Sequence, residues 1–261
     1  MRSNAIQRTE RDEVTGEPAK PLAHEAIYST VESILGTRPR GKLLDVPAGE
    51  GALAARLLHL GLAVKCCDLH PENFRLPQVE IKRGDLSGVL PYPDNSFDYI
   101  ACVEGLEHIE NPHQALREFS RLLRSRGQLI LSIPNMLNIE ERLKWLLFGY
   151  TSHFKPLSRE YLNTLGDEFV GMEDVALHIN PIPYSELRYV LEKYGFQILG
   201  LHRDKPKKNS WAYLPIVALI RMLNRFQSTK ISRERWSAEL QSDEVLLGGN
   251  TLIIHAVKRA D

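Results

Sequence analysis

Short apolar runs alternate with amphipathic stretches from about residue 22 to residue 134, which is typical of alternating strands and helices. The apolar runs are nearly continuous, as they are when helices cover both faces of a parallel sheet. Gly and Pro residues bound most of them, and Asn111 followed by Pro112 is a helix start signal. The pattern predicts strands at 43–46, 62–67, 79–82, 97–103 and 127–133, and helices at 22–35, 52–60 and 112–123.

The second half of the chain is less regular. It predicts helices at 139–148 and 184–194 and strands at 196–201 and 250–257, separated by irregular stretches. No internal repeat and no long linker marks a second domain. We therefore expect one α/β domain over residues 21–261 with insertions at about 135–183 and 202–246, after a disordered lead at 1–20.

Composition and charge exclude several classes of protein. The chain has 261 residues and a formal net charge of zero, which argues against a general nucleic-acid coat protein. Its three cysteines fit neither a zinc-site spacing nor a disulfide framework, so we expect buried thiols in a reducing cytosol and no metal site. The N-terminus lacks the apolar core of a signal peptide, and no run approaches the ~18 apolar residues of a spanning helix. A cytoplasmic protein is expected.

The first chemical signal is a glycine turn between a strand and a helix, Pro47-Ala48-Gly49-Glu50-Gly51. Such a turn lets a ligand approach the backbone closely and meet the N–H groups at a helix start. Asp68 ends the next predicted strand, where a carboxylate can accept hydrogen bonds from ribose hydroxyls. These residues predict a ligand that contains a nucleoside.

Two nucleoside ligands compete for this turn. Residues 49–54 formally fit G-x-G-x-x-A, the dinucleotide fingerprint. Asp45, at the tip of the first strand, would repel a pyrophosphate but suits a ligand with an amino group or a sulfonium centre. The residues favour S-adenosylmethionine over NAD, while an NAD-dependent oxidoreductase and a turn without any ligand stay open as alternatives.

The motifs, taken together, resemble the class I S-adenosylmethionine-dependent methyltransferases, in particular the small-molecule branch called type 11. The resemblance covers residues 40–135 well and 184–257 in outline, and Pro47 replaces the first glycine of the first motif. It implies a doubly wound, Rossmann-like α/β fold whose seven-stranded sheet has an antiparallel last strand and helices on both faces. Five segments carry it in order: Asp45 with Gly49 and Gly51, then Asp68, Gly84-Asp85-Leu86, the F-D and L-E-H segments of 96–109, and 122–130.

The same resemblance implies the cofactor and the residues that hold it. S-adenosylmethionine would place its ribose hydroxyls on Asp68, with Leu69 beside the adenine and Asp85 at the adenine amino group. The cofactor-binding residues it implies are Asp45, Ala48, Gly49, Gly51, Asp68, Leu69, Asp85, Leu86, Cys102 and Val103.

Methyl transfer to a hydroxyl group gains from a general base. His108 follows the fourth predicted strand, and His153 and His178 lie in the first insertion. His178 lies in a segment that resembles one found in family members before the penultimate helix. His108 and His178 are therefore the candidate catalytic residues, with a hydrogen-bonded structural histidine as the alternative for each.

The second insertion combines positive charge with an apolar run. Residues 203–235 contain nine basic and two acidic residues, a net charge of +7 in a neutral chain, around the mostly apolar run 211–220. Such a stretch suits an anionic membrane surface or an anionic substrate, and a helix packed on the sheet is the alternative. We expect O-methylation of a small or lipid-linked acceptor (a glycan, quinone or similar intermediate), peripheral contact with anionic membrane, and no nucleic-acid partner. The acceptor's identity, the oligomeric state and a non-catalytic nucleoside-binding role on the same fold stay open.

Overall fold

The computed structural model describes residues 19–153 and 178–260. Its centre is a seven-stranded sheet with the strand order β3-β2-β1-β4-β5-β7-β6. The strands are β1 Lys42–Asp45, β2 Ala63–Asp68, β3 Ile81–Arg83, β4 Phe97–Cys102, β5 Leu123–Pro134, β6 Phe196–Arg203 and β7 Thr251–Lys258.

The strand directions confirm the predicted fold class. Strands β1 to β5 pair in parallel, while β7 runs antiparallel to both of its neighbours, β5 and β6. The order of the strands reverses between β1 and β4, as it does in a doubly wound sheet. The sheet is therefore Rossmann-like with an antiparallel last strand.

Helices cover both faces of the sheet. Neighbouring residues of a strand point to opposite faces, so Leu43 packs in the core under α1 (Glu25–Gly36) and α2 (Ala52–His59). Leu44 packs in the other core, under α3 (Pro112–Leu122) and α5 (Tyr184–Lys193). Burial on both faces explains why the strands read as continuous apolar runs.

Two helices begin and end where their capping residues predict. The Asn111 side chain accepts a hydrogen bond from the Gln114 backbone N–H at 3.3 Å, and Pro112 takes the first position of α3. Helix α4 (Ile139–Phe148) begins after Asn138 and ends before Gly149, whose φ of 73° is in the left-handed region. Its bounds are those predicted from the sequence.

Several predicted boundaries were wrong by a few residues. Strand β5 begins at Leu123 instead of residue 127, because Leu123 already pairs with Phe97 before the ladder becomes irregular. Strand β6 continues to Arg203 because its partner β7 supplies hydrogen bonds along its whole length. Apolar periodicity does not extend into these more polar ends, so the pattern missed them.

The prediction of an irregular stretch at 202–246 was wrong. This insertion forms α6 (Leu214–Arg225), α7 (Thr229–Glu234), α8 (Ser237–Leu240) and α9 (Asp243–Leu246). Val217 of α6 is buried with Ile139 of α4 and Leu246 of α9 in a small core of its own. The alternative interpretation, a helix packed on the sheet, was therefore correct in predicting a helix. Val217 of this helix, however, packs against α4 and α9.

Two predicted segments lie largely outside the described residues: the disordered lead at 1–20, apart from residues 19 and 20, and positions 154–177 of the first insertion. Within the described ranges, none of the helices has the length and apolar character needed to cross a membrane.

Candidate active site

A cavity of about 740 Å³ opens at the carboxyl edge of the sheet, where the strand order reverses. Doubly wound sheets bind their ligands in the crevice at this point. Ten of the twelve predicted site residues line it: Asp45, Ala48, Gly49, Asp68, Leu69, Asp85, Leu86, Val103, His108 and His178.

The other two predicted residues, Gly51 and Cys102, are not in the cavity lining. Cys102 is fully buried in the core beneath α3. Gly51 has a φ of 98°, and a Cβ added there would lie 2.7 Å from the Phe74 ring. Backbone conformation and packing therefore require a glycine at this position whether or not a ligand approaches it, and a ligand contact at Gly51 stays a prediction.

The glycine turn is fixed to the end of β2 by Asp68. One carboxylate oxygen accepts a hydrogen bond from the Gly49 backbone N–H at 2.7 Å, and the other accepts one from the His70 backbone N–H at 2.8 Å. Each oxygen has a second lone pair available to a donor in the cavity. Asp68 can therefore hold the turn and still accept hydrogen bonds from a ligand.

Asp45 is a buried carboxylate at the end of β1. Its Oδ2 atom has no hydrogen-bond partner among the described residues. Burial and the nearby Asp68 carboxylate raise the pKa of Asp45 to about 8. A backbone hydrogen bond from Ala54 offsets only part of this cost, so a cationic group in the cavity would stabilise the ionised form, in line with the sequence argument against a pyrophosphate.

The loop after β3 brings Asp85 and Leu86 to the same cavity. The Gly84 backbone N–H donates a hydrogen bond to the Asp68 carbonyl oxygen at 2.9 Å, so this loop lies beside the end of β2. Asp85 accepts a hydrogen bond from the Ser87 backbone N–H at 2.7 Å, and the side chain of Leu86 is buried. The cavity therefore presents a carboxylate beside an apolar side chain here.

The motif after β4 contains two glutamates, the half-buried Glu104 and the fully buried Glu107, to which the sequence gave no role. Glu104 lines the cavity, and its Oε1 accepts a hydrogen bond from the Ser132 hydroxyl at 3.0 Å. Burial raises the pKa of both Glu104 and Glu107, and Glu104 adds to the shift at Glu107. Their place directly after the carboxyl end of a central strand was the signal that could have identified them.

The two candidate catalytic histidines are brought together by the fold. The His108 and His178 ring centroids are 5.0 Å apart, and the rings are nearly perpendicular. His178 Nδ1 is 3.1 Å from the His153 carbonyl oxygen, so Nδ1 carries the hydrogen and donates it. Burial lowers the pKa of His178, which favours the neutral ring. His153 is not part of the described cavity lining.

Backbone hydrogen bonds hold the His178 segment against the loop after β4. The backbone N–H groups of Ile179 and Asn180 donate to the Glu107 carbonyl oxygen at 2.9 and 3.0 Å. The Asn180 side chain also donates to the Ile109 carbonyl oxygen at 3.1 Å. These contacts join segments 71 positions apart in the chain and fix the histidine pair at the cavity.

Residues 44–131, which run from β1 into β5 and include most of the cavity lining, match the type 11 family described as "Methyltransferase domain". This stretch of the chain is a type 11 methyltransferase domain of class I. The cofactor of this family is S-adenosylmethionine, so the predicted family and cofactor are confirmed, and NAD is set aside.

Named relatives and a solved structure agree with this family. A ubiquinone biosynthesis O-methyltransferase from Psychrobacter cryohalolentis is 27% identical over 181 residues, 65% of this chain and 65% of the relative. A ubiquinone/menaquinone biosynthesis C-methyltransferase from Shewanella oneidensis is 32% identical over 115 residues, 39% of this chain and 45% of the relative. This chain thus spans less than two thirds of the length of either relative. An S-adenosylmethionine-dependent methyltransferase structure from Thermotoga maritima has a TM-score of 0.51 at 16% identity, covering 90% of this chain and 88% of that one, and shows the shared fold.

A second, more open groove of about 790 Å³ lies between α1 and the ends of β6 and β7. Its lining includes Arg38, His202, Asp204 and His255 but none of the predicted site residues. It also lies away from the glycine turn and the end of β2. The cavity at the strand-order reversal is therefore the candidate active site.

Proposed function

We propose that this protein transfers the methyl group of S-adenosylmethionine to an oxygen of a lipid-linked, quinone-type acceptor, at the surface of an anionic membrane. The observation that carries the proposal is the meeting in one cavity of three strand-end carboxylates, Asp45, Asp68 and Asp85, with the histidine pair His108 and His178. The quinone-type acceptor is supported by the similarity to ubiquinone and menaquinone biosynthesis methyltransferases.

The residues present fit the cofactor. The buried Asp45 carboxylate, with Oδ2 lacking a partner among the described residues, suits the cationic amino acid end of the cofactor. Asp68 accepts the ribose hydroxyls and Asp85 the adenine amino group, with Leu69 and Leu86 against the ring. When bound, S-adenosylmethionine supplies a methyl group made electrophilic by the sulfonium charge.

The chain's own residues then act on the acceptor. His108 and His178 hold its hydroxyl group at the cavity, which contributes positioning. The neutral His178 ring donates through Nδ1 to the His153 carbonyl, so Nε2 is its proton-accepting atom. With the cofactor bound, Nε2 would take the proton that the acceptor hydroxyl loses on methylation.

The test is methyl transfer from labelled S-adenosylmethionine to a catechol-type quinol with an isoprenoid tail, with the product identified by mass. Asp68→Ala should weaken cofactor binding, whereas His178→Ala should keep the cofactor affinity within about threefold and lose transfer. Binding of NAD without binding of S-adenosylhomocysteine would overturn the proposal. Transfer to carbon in place of oxygen would overturn only its O-methylation part.

The membrane part of the proposal rests on an exposed apolar stripe of α6. Val217 faces the small core, and at about 100° per residue the opposite side of the helix holds Leu219, Leu223 and Phe226. Their exposed fractions are 50%, 56% and 81%. An amphipathic helix whose apolar side faces outwards suits burial in the headgroup region of a bilayer.

Helix α4, which packs against α6 through Ile139, adds more exposed apolar surface. Trp145, Leu147 and Phe148 at its carboxyl end are all more than half exposed. Contiguous apolar surface of this kind marks an interaction site in a soluble protein. Aromatic side chains among the exposed ones suit the water–lipid interface.

The charges of the second insertion support an anionic bilayer as the partner of this apolar surface. Three of its basic residues are in ion pairs: Lys207 with Glu140 at 3.1 Å, Arg221 with Asp243 at 2.6 Å, and Lys230 with Glu234 at 3.9 Å. The exposed basic residues of the insertion that could meet lipid headgroups include Lys208, Arg225 and Arg233. Each basic side chain near an anionic surface contributes about 1 kcal/mol.

Sedimentation with vesicles of phosphatidylglycerol and phosphatidylcholine tests the membrane contact. Wild type should bind the anionic vesicles, and Leu223→Asp should weaken binding at least about tenfold at every salt concentration. Val89→Asp is the matched control, because Val89 is exposed but lies outside both insertions. The triple change of Lys208, Arg225 and Arg233 to Gln should reduce the salt dependence. No binding to either vesicle at low salt would refute the membrane contact.

A further inference from the structure

A buried carboxylate holds the loop that follows α4. Glu141 is only 1% exposed, although it lies in the first turn of this helix. Its Oε2 atom accepts a hydrogen bond from the Ser152 backbone N–H at 2.6 Å, eleven positions further along the chain. Its Oε1 atom pairs with Lys144 at 3.1 Å, and Lys144 also donates to the Ser152 hydroxyl at 2.7 Å. Both carboxylate oxygens are therefore used, and one of them binds the backbone of the loop.

The surroundings of Glu141 favour its ionised form. Burial opposes ionisation, but the hydrogen bonds from Ser152 and Lys144 outweigh it and lower the pKa of this carboxyl. The start of a helix also favours a negative charge. A hydrogen bond to an ionised acceptor is shorter and stronger than one between neutral groups. The contact therefore fixes the Ser152 backbone firmly.

The residue that follows Ser152 contacts the candidate base. Ser152 and His153 are consecutive residues of a turn. The carbonyl oxygen of His153 accepts the hydrogen of His178 Nδ1 at 3.1 Å. A displacement of the Ser152 backbone therefore moves the acceptor to which the His178 ring is bonded. The sequence drew attention to His153 as a histidine, but the contact that reaches the site is made by its backbone.

The position of this carbonyl determines which nitrogen of His178 carries the hydrogen. In a neutral imidazole one nitrogen donates and the other accepts, and the partner of one nitrogen selects the tautomer. With Nδ1–H on the His153 carbonyl, Nε2 is the accepting atom. Once this acceptor is displaced, the ring can place its hydrogen on Nε2, and Nε2 then no longer accepts a proton.

We infer that Glu141 is a positioning residue for His178. Its carboxylate fixes the turn at Ser152 and His153, and the His153 carbonyl then holds the imidazole in the tautomer whose Nε2 accepts a proton. Glu141, Ser152 and His153 are not in the described cavity lining, so they act through His178 alone. The effect on the tautomer depends only on these contacts. Its consequence for methyl transfer rests on the proposed function, in which His178 is the base.

Two substitutions separate the reach of the Glu141 side chain from its charge. Glu141→Gln keeps an oxygen at the same distance without the charge, so it should still accept the Ser152 N–H. Glu141→Asp keeps the charge but shortens the side chain by one methylene, so this hydrogen bond should be lost. Glu140→Ala is the matched control. It removes a neighbouring carboxylate that also pairs with Lys144, at 2.6 Å, but that has no hydrogen bond to the described part of the turn.

Nitrogen NMR of the imidazole rings measures the tautomer without substrate or cofactor. The signals of His178 are identified by their absence from His178→Ala. At about pH 8, where the ring is neutral, wild type, Glu141→Gln and Glu140→Ala should carry the hydrogen on Nδ1. Glu141→Asp should carry a larger share on Nε2. Hydrogen on Nε2 in wild type, or a wild-type tautomer in Glu141→Asp, would overturn the inference.

Methyl transfer to the quinol acceptor is the second measurement. Glu141→Asp should lower kcat at least about tenfold and leave the KM for the acceptor within about threefold, because the change misplaces the base and not the acceptor. Glu141→Gln and Glu140→Ala should keep kcat within about threefold. The reverse order, with Glu141→Gln impaired and Glu141→Asp unimpaired, would show that the charge matters and not the hydrogen bond, against the inference.

The melting temperature and the affinity for S-adenosylhomocysteine follow the fold and the cofactor site separately. A lower melting temperature for Glu141→Asp, with the tautomer and kcat unchanged, would make Glu141 a residue of the fold only and refute the inference. An altered tautomer with unchanged kcat would leave the positioning role standing and refute His178 as the base. Should Glu141→Asp fail to fold, Ser152→Pro, which removes the N–H donor and leaves the carboxylate in place, decides by the same measurements.

Discussion

Cofactor binding should depend on pH through Asp45. In the free protein, burial and the Asp68 carboxylate hold the pKa of Asp45 at about 8, so its side chain is mostly protonated at neutral pH. The other ionisable groups that interact with it are the hydroxyl of Tyr28 and the thiols of Cys66 and Cys102. The pKa of each is raised by burial, so all three are neutral throughout this pH range.

The size of the effect follows from the pKa. About 1% of Asp45 is ionised at pH 6 and about half at pH 8. If the cationic end of the ligand requires the ionised carboxylate, affinity should rise about 50-fold between pH 6 and pH 8 and level off above pH 9. At pH 7 binding should release about 0.9 proton per ligand, because about nine tenths of Asp45 is protonated before binding.

Titration calorimetry with S-adenosylhomocysteine, in two buffers of different ionisation enthalpy, measures both quantities. Asp45→Asn is the control, since it has the shape of the protonated form and cannot ionise. It should bind with nearly constant affinity over this range and release far less than one proton. Any pH dependence that belongs to the ligand's own amino group persists in the variant and can be subtracted. Equal proton release by wild type and Asp45→Asn would refute the assignment of Asp45 to the ligand's cationic group.

Three further predictions concern the ligand, the turn and the stability of the fold. Asp68→Ala should weaken S-adenosylhomocysteine binding by ~1–3 kcal/mol in calorimetry, and Asp68→Asn by less, because an amide oxygen still accepts a hydrogen bond. Gly51→Ala should lower the free energy of unfolding in urea by more than Gly149→Ala: both have positive φ, which costs about 1–3 kcal/mol, but only at Gly51 does the added Cβ meet a side chain, Phe74 at 2.7 Å. Burial lowers the pKa of His255 to about 4, so the folded protein keeps this ring neutral while the unfolded chain protonates it below about pH 6.5. The contribution of His255 to the free energy of unfolding is therefore complete above pH 6.5 and is lost as the pH falls towards 4. Between pH 6.5 and 5, the free energy of unfolding in urea should fall by about 2 kcal/mol less in His255→Gln than in wild type.

The sequence predicted the parts of the molecule that local physics determines. Continuous apolar runs require burial on both faces, which identified the strands, and the turn at Gly49 and Gly51 identified the start of α2. The carboxyl ends of parallel strands meet at one edge of a sheet, so Asp45 and Asp68 could be placed in one site without a structure. Gly51 shows the limit of this reasoning, since a glycine required by packing has the same sequence signature as one required by a ligand.

The meeting of Glu107 with His178 could not be predicted in this way. These residues are 71 positions apart, and no periodic pattern connects the segments that carry them. Their contact depends on backbone hydrogen bonds from Ile179 and Asn180 to Glu107, which any residue types could form. The sequence therefore predicted two separate histidines, whereas the fold brings them together beside the buried Glu107.

The helices of the second insertion escaped prediction for a different reason. Three of them, α7, α8 and α9, have only four to six residues, too few for a periodic signal. In α6 the apolar residues outnumber those that the protein buries, so periodicity does not show which side faces the core. An apolar helix face that stays exposed is explained by the partner it binds. Rules that assume apolar residues face the protein's own core do not predict it.

The position of α6 makes membrane contact and cofactor binding separable by experiment. Val217 is buried in a small core shared with α4 and α9, distinct from the two large cores that hold the sheet and the cavity. Leu219 and Leu223, on the exposed side of α6, belong to none of the three cores found among the described residues. They therefore do not support the glycine turn or the histidine pair through these cores. A charge placed on that stripe should therefore detach the protein from vesicles without changing its affinity for S-adenosylhomocysteine. A lipid-tailed acceptor would then be methylated more slowly when it is embedded in vesicles, while a short-tailed analogue in solution would be methylated at the wild-type rate.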